Sequence, residues 1–384
     1  MDPCSQDRRT SVIQILAMPF TLRFLRGQGS SLRQNGIEWK IVCSPSDELQ
    51  RFAVEERIES IAIPIKRHIS PVADIVSVVR LICLFRHERP DVIHAHTPKA
   101  GLLATIAGAI ARVPKRVYTI HGLVYETSSG LQRQLLLTTE RISCLLSTEV
   151  ISVSNSIRDL AIQDGLVDAA KISVLGCGSN NGIDAEERFN PKLYCRANLR
   201  SDMDLNPNSP VCVYIGRLAK DKGLSELSIA WRTIVQNHPD ATLIVAGTQD
   251  TRDPSDPGVI RTFLSTPGVR FMGHTENVPE LLACSDVLVL PSYREGLGLV
   301  LLEASAMGLP VVASDIAGCR DAVRHGVTGT LVPARQADSL ASAITQYFGD
   351  PALAKRHGTA GRERVLRDFR PESMAELLST MYRA

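Results

Sequence analysis

The sequence predicts an α/β protein built from two doubly wound parallel sheets, and three features predict it. Short apolar runs that stop at Gly, Pro or His alternate with longer helix-forming stretches, the pattern of parallel strands joined by crossover helices. A chain of 384 residues is long enough for two ordinary domains. An apolar share of 44% and a charged share of 22% are those of a globular protein, and a net charge of +2 offers no basic footprint for nucleic acid.

The nine cysteines show neither C-x-x-C nor paired Cys/His spacing. They read as buried thiols in a reducing, cytoplasmic compartment, and no metal site is expected. No run approaches the roughly 20 apolar residues that span a bilayer. The longest candidate, LLATIAGAIA (102–111), is rich in small residues and reads as a core helix.

Residues 1–10 are polar and are expected as a flexible lead-in to a first domain over 11–190. SVIQILAMP (11–19) is the first strand, and TLRFLRGQGSSLRQNG (21–36) a helix that encloses Gly27 and Gly29. IEWKIVCSP and ESIAIPI give two more strands, and DIVSVVRLICLFRHERP a helix capped by Asp74 and stopped before Pro90. DVIHAHTPKAGLLATIAGAIARV then reads strand, turn, helix, and RVYTI is a strand ending at His121 and Gly122. TEVISVSNSIRDLAIQDG is strand then helix, with Ser154 or Asn155 as N-cap. Strands and helices alternating at this spacing place ligands in a crevice beyond the strand carboxyl ends. His94, His96 and His121 lie at such ends; histidines so placed are more often hydrogen-bonded core residues than metal ligands.

The polar, proline-bearing stretch 191–209 is expected as a linker to a second domain over 210–370. There VCVYIG is a strand, RLAKDKG (217–223) a loop and the residues after it a helix. Arg217 and Lys222 flank that loop, with Gly216 and Gly223 allowing close backbone approach. A turn at a strand's carboxyl end that carries both cations suits a phosphate, which they would hold through charge-assisted bonds. ATLIVAGTQD, GVRFMG and SDVLVLPS are further strands, and the tail after Asp338 is helical in two or three pieces.

The densest signal is PSYREGLGLVLLEASAMGLPVVASDIAG, Pro291 to Gly318. A glycine-bearing loop at a strand end leads into an apolar helix whose first N–H groups favour an anion. Glu295 lies in the loop and Glu303 in the helix, some 12 Å apart at about 1.5 Å of rise per residue. Two hydroxyl-rich groups flanking a diphosphate fit that spacing, which is the layout of a nucleotide sugar.

At Pro291, Ser292, Glu295, Glu303, Gly308, Pro310, Val311 and Val312 the chain resembles the retaining glycosyltransferases of family 4, in a branch of polysaccharide biosynthesis. Gly216 to Gly223 matches the family's G-R-L-x-x-x-K-G motif, and the resemblance runs over nearly the whole chain. It implies the GT-B fold, two Rossmann-like domains facing a central cleft, with the last helix (371–384) returning to the first domain. One departure is that the turn after the first strand, MPFTLR, has no glycine where the family usually approaches the donor diphosphate.

By resemblance, Glu295, His121, Arg217 and Lys222 are the catalytic set. Gly216, Gly298, Leu299, Val300 and Glu303 bind the donor, Glu303 through the ribose, while Met272, Gly273 and His274 read the base. His96 and Lys99 fall on the acceptor side. Asn181 either lines the cleft or merely closes an Asn-Gly turn. The implied reaction needs no metal or other cofactor and moves a hexose or N-acetylhexosamine, most simply from a UDP-sugar, to a polyprenyl-linked saccharide. The leaving phosphate takes the acceptor's proton in a same-face substitution. A nucleotide-sugar epimerase of the same fold and a catalytically silent nucleotide-sugar-binding subunit remain as alternatives. Arg23, Arg26, Arg80, Arg86 and Arg89 share amino-terminal helices with Leu22, Leu25, Leu81 and Leu84. These are either a peripheral contact with the inner membrane face or ordinary amphipathic packing.

Overall fold

The computed structural model describes residues 9–179, 181–250 and 253–384. Residues 1–8 of the expected lead-in lie outside the described residues. The chain divides into two compact units, one of residues 1–182 and 371–384, the other of residues 183–370.

Unit 1 begins with β1 (Thr10–Ile15), α1 (Gln28–Gln34), β2 (Ile37–Cys43), α2 (Asp47–Glu56) and β3 (Glu59–Ala62). It continues with α3 (Pro71–Glu88), β4 (Val92–His96), α4 (Pro98–Ala111) and β5 (Lys115–Ile120). Then come α5 (Gly130–Leu146), β6 (Glu149–Ser152), α6 (Asn155–Gln163) and β7 (Ile172–Val174). Its seven strands are parallel in the order β3-β2-β1-β4-β5-β6-β7, so the winding reverses between β1 and β4.

The central strands are buried on both faces, as Val12, Ile93, Val117 and Val150 show, which is why they read as continuous apolar runs. α4 is a core helix because its residues are small. A Cβ at Gly101 would collide with the Tyr118 ring of β5, so glycine lets helix and sheet close up.

Unit 2 comprises α7 (Arg196–Asp202), β8 (Val211–Ile215), α8 (Leu224–Asn237), β9 (Thr242–Ala246), α9 (Pro257–Leu264) and β10 (Val269–Gly273). It runs on through α10 (Val278–Cys284), β11 (Val287–Leu290), α11 (Leu299–Ala306), β12 (Val311–Ser314) and α12 (Cys319–Ala322). β13 (Gly329–Val332), α13 (Ala337–Gly349) and α14 (Pro351–Asp368) complete it. The six strands are parallel in the order β10-β9-β8-β11-β12-β13, and the reversal falls between β8 and β11. The chain's entry and exit are tied together, Ile183 N donating to Phe369 O at 2.7 Å.

After Pro371 the chain rejoins unit 1 as α15 (Pro371–Arg383), which packs on α1 and β1. Met374, Leu378 and Tyr382 enter the same apolar cluster as Val12, Trp39 and Ile41. The Tyr382 hydroxyl lies 2.6 Å from His94 Nδ1, and Lys115 Nζ donates to Met381 O.

Three local expectations are corrected. The helix expected over 21–36 is two pieces, a 3₁₀ turn (Pro19–Leu25) and α1, broken at Gly27 with φ 84°. α3 starts at Pro71 rather than at Asp74, whose carboxylate accepts from Ser70 N at 3.2 Å from inside the first turn. The stretch expected as a linker packs in unit 2, because buried Arg200 donates to the carbonyls of Cys284, Pro207 and Ser209 and to Asp286. The Ser154 cap is present, its hydroxyl accepting from Ile157 N at 3.4 Å.

Candidate functional site

In each unit the reversal of strand order opens a crevice beyond the strand carboxyl ends. In unit 2 that crevice lies between β8 and β11, and the two loops that leave these strands are bonded to one another. Lys222 Nζ donates to Glu295 Oε1 at 2.6 Å, and Ser292 Oγ donates to the same oxygen at 2.7 Å. Arg294 Nη2 pairs with the buried Asp221 at 2.9 Å, and Tyr293 N donates to Asp221 O at 2.8 Å. A Cβ at Gly223, where φ is 65°, would collide with the Pro291 carbonyl, so glycine is required for the loops to meet.

Arg217 is anchored from two sides. Its guanidinium pairs with Asp250, which is buried, and its carbonyl accepts from the Tyr214 hydroxyl at 2.8 Å. Burial, reinforced by Glu295 and Asp221 nearby, pushes the Tyr214 phenol well up, so it stays a donor. Gly247 (φ 145°) sits so close to the Gly216 carbonyl that no side chain fits, and its N–H donates to Gly273 O at 2.7 Å. The ends of β8, β9 and β10 therefore converge, bringing Gly216 and Gly273 together. Met272 is exposed beside a register shift in β10, and His274 is exposed in the turn that follows.

α11 begins at Leu299 with Gly298 as a left-handed N-cap, and Leu299 and Val300 are its first two residues. Glu303 is partly buried on its second turn. Only this last portion of the Glu295–Glu303 interval is helical, so the loop, and not a two-turn helical rise, sets the separation of the carboxylates. Among the described residues Glu295 Oε2 makes no hydrogen bond, which leaves that oxygen to accept from a ligand hydroxyl.

In unit 1 the corresponding crevice lies between β1 and β4. His121 follows β5, is partly exposed and stacks on Phe24, the centroids 4.7 Å apart and the planes at 15°. His96 is a correction: it is fully buried and both ring nitrogens are engaged, with Gln14 Oε1 at 3.1 Å and His121 Nε2 at 3.1 Å. It backs His121 and does not face an acceptor. Burial drives the imidazolium form out of all three histidines, lowering His121 to about 4 and His94 to about 3, with His96 also well down. Lys99 pairs with Asp74 on the first turn of α4. Asn181 is partly exposed and donates from Nδ2 to Arg26 O.

Sequence reasoning missed Asp221, Asp250, Arg294 and Gln14, and named Ser292 only as part of a motif; each of the five acts through another residue. It also missed Glu56, whose carboxylate accepts from Gly27 N at 2.6 Å and Gly29 N at 2.7 Å. A glycine-bearing turn thus follows β1 not in MPFTLR but at Gly27 and Gly29, 12 and 14 residues beyond Ile15, already occupied by this chain's own carboxylate. The G-x-G spacing was its only signal. Among the described residues no group of three His, Cys, Asp or Glu is placed to hold a metal ion.

Residues 196–364 match the family model described as glycosyl transferases group 1, and residues 22–178 that of the glycosyl transferase 4-like domain. The capsular polysaccharide biosynthesis glycosyltransferase CapM of Staphylococcus aureus is 32% identical over 377 residues, 98% of this chain and 97% of that one. An Escherichia coli UDP-Gal:alpha-D-GlcNAc-diphosphoundecaprenol alpha-1,3-galactosyltransferase is 28% identical over 82% of this chain and 80% of its own length. Among solved structures, Anabaena HepE in complex with UDP-glucose superposes with a TM-score of 0.81 at 19% identity, over 97% of this chain and 100% of that one.

Proposed function

This chain belongs to the group 1 glycosyl transferases and has the GT-B fold, and we propose that it moves a hexose or N-acetylhexosamine from a UDP-sugar with retained anomeric configuration. The acceptor in this reading is a polyprenyl diphosphate-linked saccharide used in cell-surface polysaccharide synthesis. The observation that carries it is the bonding of the two loops at the β8–β11 reversal. It joins Lys222 to Glu295 ahead of the α11 N-terminus in unit 2, and Arg217, held by Asp250, stands on the same loop as Lys222, which supports reading these groups as one site. The names of two relatives, one for capsule synthesis and one for a UDP-galactose donor with an undecaprenyl diphosphate-linked acceptor, support the substrate class.

In the proposed reaction the bond between the anomeric carbon and the diphosphate breaks, and negative charge grows on the leaving oxygens. Arg217, Lys222 and the N–H groups of Leu299 and Val300 receive that charge, in a site already organised for it. No metal is invoked. Glu295 holds sugar hydroxyls through Oε2 while Lys222 and Ser292 fix its other oxygen. Glu303 accepts from the ribose hydroxyls, His121 meets the sugar, and Gly216 and Met272–His274 hold the base. The acceptor hydroxyl attacks on the face the diphosphate leaves and passes its proton to the departing phosphate oxygen.

We also place the lipid-linked acceptor, and the anionic inner face of a membrane, against α3, on a different set of residues from the leucines of the sequence reading. Leu22, Leu25 and Leu81 are buried in unit 1 and cannot touch lipid. Val72, Ile75, Val76 and Val79 instead form an exposed stripe on α3, continued by Ile69. Arg80, Arg86 and Arg89 are exposed beyond it, while the acids of α3, Asp74 and Glu88, are paired with Lys99 and Lys40. An apolar stripe with unbalanced positive charge suits an anionic bilayer surface. No helix of the described residues is long and apolar enough to cross it.

Thermal stabilisation by UDP-, GDP- and ADP-sugars tests the donor, because a ligand that binds only the folded chain raises its stability. A UDP-sugar is expected to stabilise, and with acceptor present NMR of the product is expected to show the donor's anomeric configuration. An altered sugar formed without acceptor would make the chain an epimerase. Binding with no turnover on any acceptor would make it a silent subunit.

A further inference from the structure

The buried polar groups behind His121 form a single directed chain in unit 1, joining β1, α1, β4 and the end of β5. Gln14 Nε2 donates to Gln28 Oε1 at 3.2 Å, which turns the Gln14 carbonyl oxygen towards His96. That oxygen lies 3.1 Å from His96 Nε2 and can only accept, so the His96 proton is on Nε2. A neutral imidazole carries one N–H, and His96 Nδ1 is then a bare acceptor, 3.1 Å from His121 Nε2. His121 must in turn carry its proton on Nε2, and its Nδ1 is left as a lone pair. Gln14 and His96 are fully buried, Gln28 almost so, and Phe24 holds the plane of His121 from its face. Among the described residues His121 Nδ1 has no hydrogen-bond partner.

We propose that Gln14 and His96 are positioning residues that fix the tautomer of His121, so that it offers a bare Nδ1 to one hydroxyl of the transferred sugar. The inference rests on the glycosyltransferase reading for the identity of the hydroxyl, but the tautomer itself does not. It also selects between ligand chemistries: a lone pair attracts an O–H donor and repels a phosphate oxygen. His121 therefore serves the carbohydrate, and the diphosphate is left to the unit 2 cations. Because burial keeps His121 neutral down to about pH 4, the arrangement holds throughout the ordinary working range.

The test is the pair of ring-nitrogen chemical shifts of each histidine in the full-length chain labelled with ¹⁵N-histidine. His96 and His121 are expected to be protonated at Nε2 and bare at Nδ1. Gln14→Met removes the directing carbonyl, and His121 is expected to become a mixture of tautomers, with kcat for transfer lowered about tenfold at little cost in donor KM, the equivalent of one hydrogen bond. Gln14→Glu presents only accepting oxygens to His96 once its carboxyl is ionised, and above the pH of that ionisation it is expected to keep the Nε2–H form. A wild-type His121 protonated at Nδ1, or a tautomer unchanged in Gln14→Met, overturns the proposal. Should Gln14→Met fail to fold, the wild-type spectrum and Gln14→Glu still decide it. His121→Ala separates the two layers: full activity there would remove His121 from the reaction while leaving the tautomer assignment intact.

Discussion

At the scale of single residues the proposed transfer depends on Arg217 and Lys222 as the charges that receive the diphosphate. Arg217→Ala or Lys222→Ala is expected to lower turnover by about 10²–10³, as for loss of one preorganised transition-state donor. Near-normal turnover in the double variant, measured as initial rate at saturating donor, would contradict the assignment. Glu303→Ala is expected to weaken donor binding more than turnover, and an unchanged donor affinity by calorimetry would take that carboxylate out of the site. That Lys222 and Glu295, whose side chains do meet, lie in loops leaving two strand ends was legible from the short motifs that carry them. Asp221, Asp250 and Gln14 were not, because each reaches its partner across a loop or a strand, and contacts between distant segments leave no local pattern. His96 was misread for the same reason: its strand-end position was visible, but the two side chains that bury it were not.

At the scale of elements, periodicity located most strands and helices and failed where it could not tell a face from its opposite. α3 carries apolar residues on more than one face, so Leu81 goes to the core and Leu84 is only partly exposed, while Val72, Ile75, Val76 and Val79 are outside. Val72→Asp with Val76→Asp is expected to reduce flotation with anionic liposomes several-fold and to leave flotation-independent transfer to a soluble acceptor analogue intact. Equal flotation would remove α3 from the contact, and loss of a dimer by light scattering would assign the face to a second copy. α5 carries a separate prediction. Glu140 is buried on it, bonded at 2.8 Å by the Tyr118 hydroxyl, and burial raises its carboxyl to about 7. The folded chain therefore holds this proton more tightly than the unfolded one, whose carboxyl titrates near 4.5. The resulting stabilisation is complete below that value and is lost as pH rises through about 7. Glu140→Gln is expected to remove that loss, on the order of 3 kcal/mol at about 1.4 kcal/mol per pKa unit, so that wild type falls relative to the variant between pH 5 and 8 in denaturant titrations. Parallel curves would refute it.

At the scale of the whole molecule, the sequence was read most reliably where one rule governs many residues. Alternating apolar strands and helices demand parallel sheets, and a reversal of strand order creates a crevice in each. The limits of the units were harder, because polar composition alone made residues 191–209 look like a connector, whereas Arg200 ties that stretch into unit 2. The central claim is that a nucleotide sugar is gripped by unit 2 through its diphosphate. The most direct measurement is a crystal structure with the UDP-sugar that gives the largest thermal stabilisation. The account predicts phosphate oxygens within hydrogen-bond distance of Arg217, Lys222 and the N–H groups of Leu299 and Val300, with the ribose at Glu303 and the sugar at Glu295. A nucleotide bound away from residues 216–223 and 295–303 would contradict it.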